Sequence, residues 1–132
     1  HHPVPQAAIE DILIEHAARG LRVVRLKGGD PFIFGRGGEE LEALRAAGIE
    51  VQVTPGITAA MACAASAGIP LTHRDHAQSV TFASGVVKPD GPDADYRALA
   101  APNATAVFYM GVGAAPEIRA KMLAHGRAPQ TP

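Results

Sequence analysis

Residues 27–40 read Lys27-Gly28-Gly29-Asp30-Pro31-Phe32-Ile33-Phe34-Gly35-Arg36-Gly37-Gly38-Glu39-Glu40. Gly28 and Gly29 lack a Cβ, so their backbone can approach a small molecule closely and can take φ > 0. The Asp30 carboxylate can accept polar hydrogens from a ligand. It can equally cap a helix that starts at Pro31, and the residues alone leave both roles open. A phosphate P-loop ends on Gly-Lys-Ser/Thr, whereas Gly37-Gly38 runs into Glu39-Glu40, two carboxylates that would repel a phosphate. The dinucleotide spacing Gly-x-Gly-x-x-Gly is also absent. These absences favour a cofactor carrying a cation, such as a sulfonium, over one carrying a pyrophosphate.

A basic set follows: Arg36, His73, Arg74 and His76. Arginine can grip a carboxylate through two parallel hydrogen bonds. The plain alternative for Arg36 and Arg74 is a salt bridge, for instance Arg74 with Asp75. His73 and His76 have only Asp75 beside them and no cysteine pair, so no metal site is expected. Cys63, set among alanines, reads as a buried small hydrophobe.

These residues need elements to position them. Residues 5–19 have Ile9, Ile12, Leu13 and His16 at helical spacing, with Gly20 as a stop. Residues 21–26 are β-branched and apolar, as in a buried strand, and run straight into the glycines. In an α/β protein, ligands sit beyond the carboxyl ends of such strands. Residues 39–47 predict a second helix closed by Gly48, and 49–53 a second strand ended by Thr54-Pro55-Gly56. Residues 57–67 predict an alanine-rich helix. Residues 68–78 read as a linker, 79–84 and 105–110 as strands, 88–95 as a turn-rich segment, and 114–125 as a helix with Ile118, Met122 and Leu123 inward. The alternation of strand and helix predicts an α/β fold with a parallel sheet and right-handed crossovers.

Four blocks in order carry a resemblance: Gly28 to Glu40; Val53-Thr54-Pro55-Gly56-Ile57-Thr58-Ala59-Ala60; Ala67-Gly68-Ile69-Pro70-Leu71-Thr72-His73-Arg74-Asp75; and Phe108-Tyr109-Met110-Gly111-Val112. Together they resemble the tetrapyrrole methylases, and within them the branch acting on uroporphyrinogen III. Two positions depart from the pattern. His76 stands where tyrosine is common, and Val86 where histidine is common.

The resemblance implies a two-domain α/β architecture with the ligand in the interdomain cleft. The later part of the first domain would span residues 1–76, and the first part of the second residues 77–132. The implied activity is S-adenosylmethionine-dependent C-methylation of uroporphyrinogen III to precorrin-2, on the way to siroheme or cobalamin, with S-adenosylhomocysteine as product. The implied cofactor contacts are Gly28, Gly29, Asp30, Ile33, Thr58, Ala59 and Met110, with Met110 packed on the adenine. The substrate carries eight carboxylates, so Arg36, His73 and Arg74 are its implied partners. The family's acid and lysine for proton handling fall upstream of residue 1, so the chain is expected to be the central part of a longer enzyme, and no general base is named in it. A homodimer in the cytoplasm is also implied. A non-catalytic cofactor-binding or dimerisation piece, or a methylase of a later corrin precursor, are the alternatives.

Composition bounds these readings. At 132 residues the chain suits one domain or pieces of two. Hydrophobic residues make up 47%, enough for a core, and the absence of tryptophan makes that core largely aliphatic. A net charge of −1 gives no field to attract nucleic acid or an anionic membrane, which argues against an RNA methylase. A single cysteine allows no internal disulfide and fits a reducing cytoplasm. No apolar run approaches the roughly 20 residues that span a bilayer.

Overall fold

A computed structural model describes residues 4–132. The chain divides into two compact units, one ending at Thr58 and one running from Ala59 to Pro132.

The first unit holds α1 (Gln6–Ala18) and α2 (Gly37–Ala46). α1 ends as its sequence requires. Gly20 takes φ 77°, its N–H donates to the Ala17 carbonyl, and the Leu21 N–H reaches back to His16. This double closure satisfies carbonyls that the helix leaves open. The same pattern ends α2 at Gly48, with the Ile49 N–H donating to Leu44. Leu13 is the buried apolar residue of α1.

Residues 21–26 and 49–53 form no strand ladder, contrary to the expected pair of strands. Val24 is 80% exposed and Leu26 85%. A strand is made by a neighbour's hydrogen bonds, and these two segments do not pair. Apolar composition marks their suitability for a sheet and cannot by itself supply a partner.

The second unit begins with α3 (Ala59–Ala67) and contains β1 (Ser79–Ser84), α4 (Tyr96–Leu99), β2 (Ala104–Tyr109) and α5 (Ala115–Ala124). β1 and β2 pair in parallel, from Ser79 opposite Ala104 to Ser84 opposite Tyr109. The parallel arrangement agrees with the α/β expectation. Ala83, Tyr96 and Leu99 form the core, and Phe108, Ile118 and Met122 pack against it.

α4 went unread in the sequence because it is only four residues long. It forms because the Asp95 carboxylate accepts the Arg97 and Ala98 N–H groups. The turn-rich segment before it is tied down by Asp93, which pairs with Lys121 of α5 at 2.6 Å. Cys63 is exposed, not buried. α3 buries only Ala60, and an alanine-rich composition does not say which face of a helix is covered.

Candidate functional site

The glycine-rich segment of the first unit is a chain of turns, and no helix starts at Pro31. Asp30 therefore does not cap a helix. One carboxylate oxygen accepts the Phe32 N–H at 2.9 Å, and the other accepts the Gly56 N–H at 3.1 Å. The bonds from Gly56 and then Phe32 hold the Asp30 carboxyl below its ordinary range, since they favour its charged form. Asp30 thus ties the turn after residues 21–26 to the turn after residues 49–53.

The two turns meet backbone to backbone. A Cβ on Gly56 would lie 2.2 Å from the Gly29 carbonyl oxygen, so no other residue fits there. Gly29 takes φ 81° and lies over Ile57 and Thr58. Gly28 opens onto free space. Thr58 is buried, and Ile33 is half-buried with its N–H directed at the Asp30 carbonyl. Gly28, Gly29, Asp30, Ile33 and Thr58 are therefore brought together within one unit.

Phe34 and Arg36 take φ 50° and 56°. Such backbone is costly for residues with a Cβ, by about 1 kcal/mol each, and persists where the surroundings force it. Beside them the chain closes tightly, since a Cβ on Gly37 would lie 2.4 Å from the Pro31 carbonyl. Arg36 lies exposed and grips Glu39 of the first turn of α2 through two hydrogen bonds. The salt-bridge alternative therefore holds for Arg36, while Arg74 shows no bridge to Asp75 among the described ion pairs.

Sequence reasoning missed Glu40. It is buried on α2 and accepts from Lys27, Arg25 and Gln6. Burial pushes its carboxyl up, but the bonds from Lys27, Gln6 and Arg25 outweigh that and leave it lowered. Lys27 directly precedes Gly28, so Glu40 anchors the entry to the turn. The signal was present as a second glutamate four residues after Arg36, but nothing in the spacing distinguished it from exposed Glu39.

In the second unit, Met110 follows β2 with φ 55° and is 58% exposed. A Cβ on Gly85 would stand 2.5 Å from the Gly111 Cα, so the chain ends beyond β1 and β2 touch. The Ala60 N–H donates to the Tyr109 hydroxyl at 3.0 Å, which brings the start of α3, with exposed Ala59, to the end of β2. His73 and Arg74 lie exposed in a tight turn closed by paired bonds between His73 and Ala77. The His73 and His76 rings stack with centroids 4.6 Å apart. Among the described residues no three His, Cys, Asp or Glu side chains are grouped to hold a metal.

The residue types fit S-adenosylmethionine. In the first unit, Cβ-free backbone at Gly28 gives open approach beside the Asp30 carboxylate.

The family model of the tetrapyrrole (corrin/porphyrin) methylases matches residues 1–132. The chain belongs to this family. It is 61% identical over 132 residues to a siroheme synthase of Psychromonas ingrahamii, and 60% identical over 131 residues to one of Pseudomonas aeruginosa. The matches cover 100% and 99% of the chain, which spans 28% of the length of each relative. A crystal structure of the uroporphyrin-III C-methyl transferase of Thermus thermophilus, complexed with S-adenyl homocysteine, matches with a TM-score of 0.78 at 44% identity. That match covers 95% of this chain and 54% of that one. A cobalt precorrin-4 methyltransferase matches with a TM-score of 0.78 at 22% identity, which speaks to the fold alone. The α/β methylase fold expected from the sequence is thus borne out. No helix among the described residues is long and apolar enough to cross a membrane.

Proposed function

We propose that this tetrapyrrole methylase chain serves the S-adenosylmethionine-dependent C-methylation of uroporphyrinogen III to precorrin-2. The observation that carries the reading is the Asp30 bridge, which joins two glycine turns into one surface with Gly28, Gly29, Ile33 and Thr58. The Thermus thermophilus enzyme with S-adenyl homocysteine bound supports the choice of cofactor.

In this reading Gly28, Gly29, Asp30, Ile33, Thr58, Ala59 and Met110 are the cofactor contacts. When bound, the cofactor supplies an activated methyl group on a sulfonium, so the protein's chief task is alignment of donor and acceptor carbon. Asp30 holds its two turns fixed in advance, which lowers the cost of ordering them on binding. Arg36, His73 and Arg74 attract substrate carboxylates. We assign no general base to this chain. The domain boundary belongs to this reading at residue 76, as does a cytoplasmic homodimer.

The test is turnover by the full-length protein with S-adenosylmethionine and uroporphyrinogen III, followed by the mass of the tetrapyrrole product. Methyl transfer to uroporphyrinogen III is expected. Transfer only to a later corrin precursor, or none to either, overturns it. Gly56→Ala drives a Cβ into Gly29 and is expected to abolish cofactor binding by calorimetry, while the fold of the second unit persists.

A further inference from the structure

Tyr109 ends β2 and lies next to Met110, yet no role in ligand binding falls to it. Its hydroxyl accepts the N–H of Ala60, a residue 49 positions away in sequence and itself buried. Ala60 is the second residue of α3, where helical N–H groups have no partner within the helix. Helices are commonly capped by a neighbouring Ser, Thr, Asp or Asn. Here a side chain distant in sequence also reaches the first turn of the helix.

The tyrosine ring is held in turn. It packs edge-on against Phe82 of β1, with centroids 5.9 Å apart and planes at 70°. One residue on, Met110 takes its left-handed backbone, and the Gly111 Cα presses on Gly85. A phenylalanine would fill the same space and keep the ring packing. The hydroxyl adds a bond to Ala60.

We infer that Tyr109 is a positioning residue for the cofactor, fixing the start of α3 against the end of β2 so that Ala59 and Met110 present one preformed surface. This rests on the proposed binding of S-adenosylmethionine. Tyr109 acts through Ala60 and needs no contact with the reacting atoms. Its loss would loosen cofactor binding and leave the carboxylate-binding residues His73 and Arg74 untouched.

The experiment compares the full-length protein with Tyr109→Phe and with Phe82→Leu, which disturbs the packing and keeps the hydroxyl. Tyr109→Phe is expected to weaken S-adenosylhomocysteine binding about tenfold, as for a lost hydrogen bond. It should raise KM for S-adenosylmethionine and leave kcat and the tetrapyrrole KM unchanged. Hydrogen exchange at the Ala60 amide should quicken in Tyr109→Phe alone. Phe82→Leu should lower the melting temperature and keep the cofactor affinity. A folded Tyr109→Phe that binds S-adenosylhomocysteine as tightly as its parent overturns the positioning role alone. A parent that binds no S-adenosylhomocysteine overturns the proposed function, and this inference with it.

Discussion

Among the described residues, the buried side chains of the unit ending at Thr58 are Leu13, Glu40 and Thr58, whereas in the unit from Ala59 onward they include Ala83, Tyr96 and Leu99. The first unit leaves Leu21, Val24 and Leu26 exposed and holds its glycine-rich turns with polar groups. Asp30 bridges two backbone N–H groups, and Glu40 gathers two cations and an amide. The second unit has a paired parallel ladder and an apolar core beneath it. Directional polar bonds can fix a loop with little apolar burial, because each bond specifies a distance and an angle. Apolar packing specifies less per contact and needs a sheet to pack upon. The difference teaches that a fixed chain of turns and a stable core can be built by separate means in one chain.

The contrast breaks most readily at Glu40. Glu40→Ala strands Lys27, whose side chain is only 12% exposed, and Arg25 beside it. A loss of about 4 kcal/mol is expected, as for one partner removed from a buried pair. Leu99→Ala attacks the opposite kind of support. Leu99 is 2% exposed, and its truncation is expected to cost about 3 kcal/mol through lost burial and the cavity left behind. Both tyrosines, Tyr96 and Tyr109, belong to the second unit, and there is no tryptophan. Tyrosine fluorescence during urea unfolding should therefore report Leu99→Ala in full. Circular dichroism is needed to see Glu40→Ala. Equal tyrosine responses to both would merge the two modes of support into one.

A pH titration sharpens the contrast further. Asp30 and Glu40 have lowered carboxyl pKa values in the folded chain. Their contribution is complete above the unfolded values, about 3.9 and 4.3, and is lost as pH falls through the lower folded ones. In the second unit Lys121 is raised, first by its bond to Asp93 and then by Glu117, and burial raises the Tyr96 phenol. Raised groups contribute fully below their unfolded values, about 10, and lose that contribution as pH rises through the folded ones. Asp93, lowered by Lys121, adds an acid limb to the second unit. Melting curves should show Glu40→Gln flattening the acid limb alone, and Lys121→Met flattening the alkaline limb together with the Asp93 share of the acid one. An alkaline limb unchanged in Lys121→Met would remove that ion pair from the account.

The smallest effect on stability is expected at Arg36. Its pairing with Glu39 is exposed, and exposed pairs contribute little. Arg36→Ala should leave the melting temperature unchanged while raising the tetrapyrrole KM. A clear fall in melting temperature would make Arg36 a structural residue.

Much of the first turn was legible, because Gly29 takes left-handed backbone and Gly56 has no room for a Cβ. Glycine stops at Gly20 and Gly48 were legible for the same kind of reason, since a helix that ends in left-handed backbone favours glycine there. α1, α2, α3 and α5, with β1 and β2, were also expected along the chain, whereas the four-residue α4 was not. Residues 21–26 show where the reading stopped. Their apolar, β-branched character is a property of the segment, whereas strand pairing is a property of two segments. Cys63 went the same way, since its burial depended on which face of α3 is covered. Asp30 was recognised as a candidate, but its double duty toward Phe32 and Gly56 joins residues 26 positions apart and has no local signature.

By itself, the sequence determined the positions of glycine, the starts and stops of helices, and the family. These depend on backbone geometry and on motifs read along the chain. Tertiary structure alone decided that Asp30 reaches Gly56, that Glu40 is buried while Glu39 is exposed, and that the Tyr109 hydroxyl accepts from Ala60 in the first turn of α3. The bonds of Asp30 to Gly56, of Glu40 to Lys27, Arg25 and Gln6, and of Tyr109 to Ala60 all form between groups distant along the chain. Such bonds are set by which atoms folding leaves within about 3 Å and shielded from water.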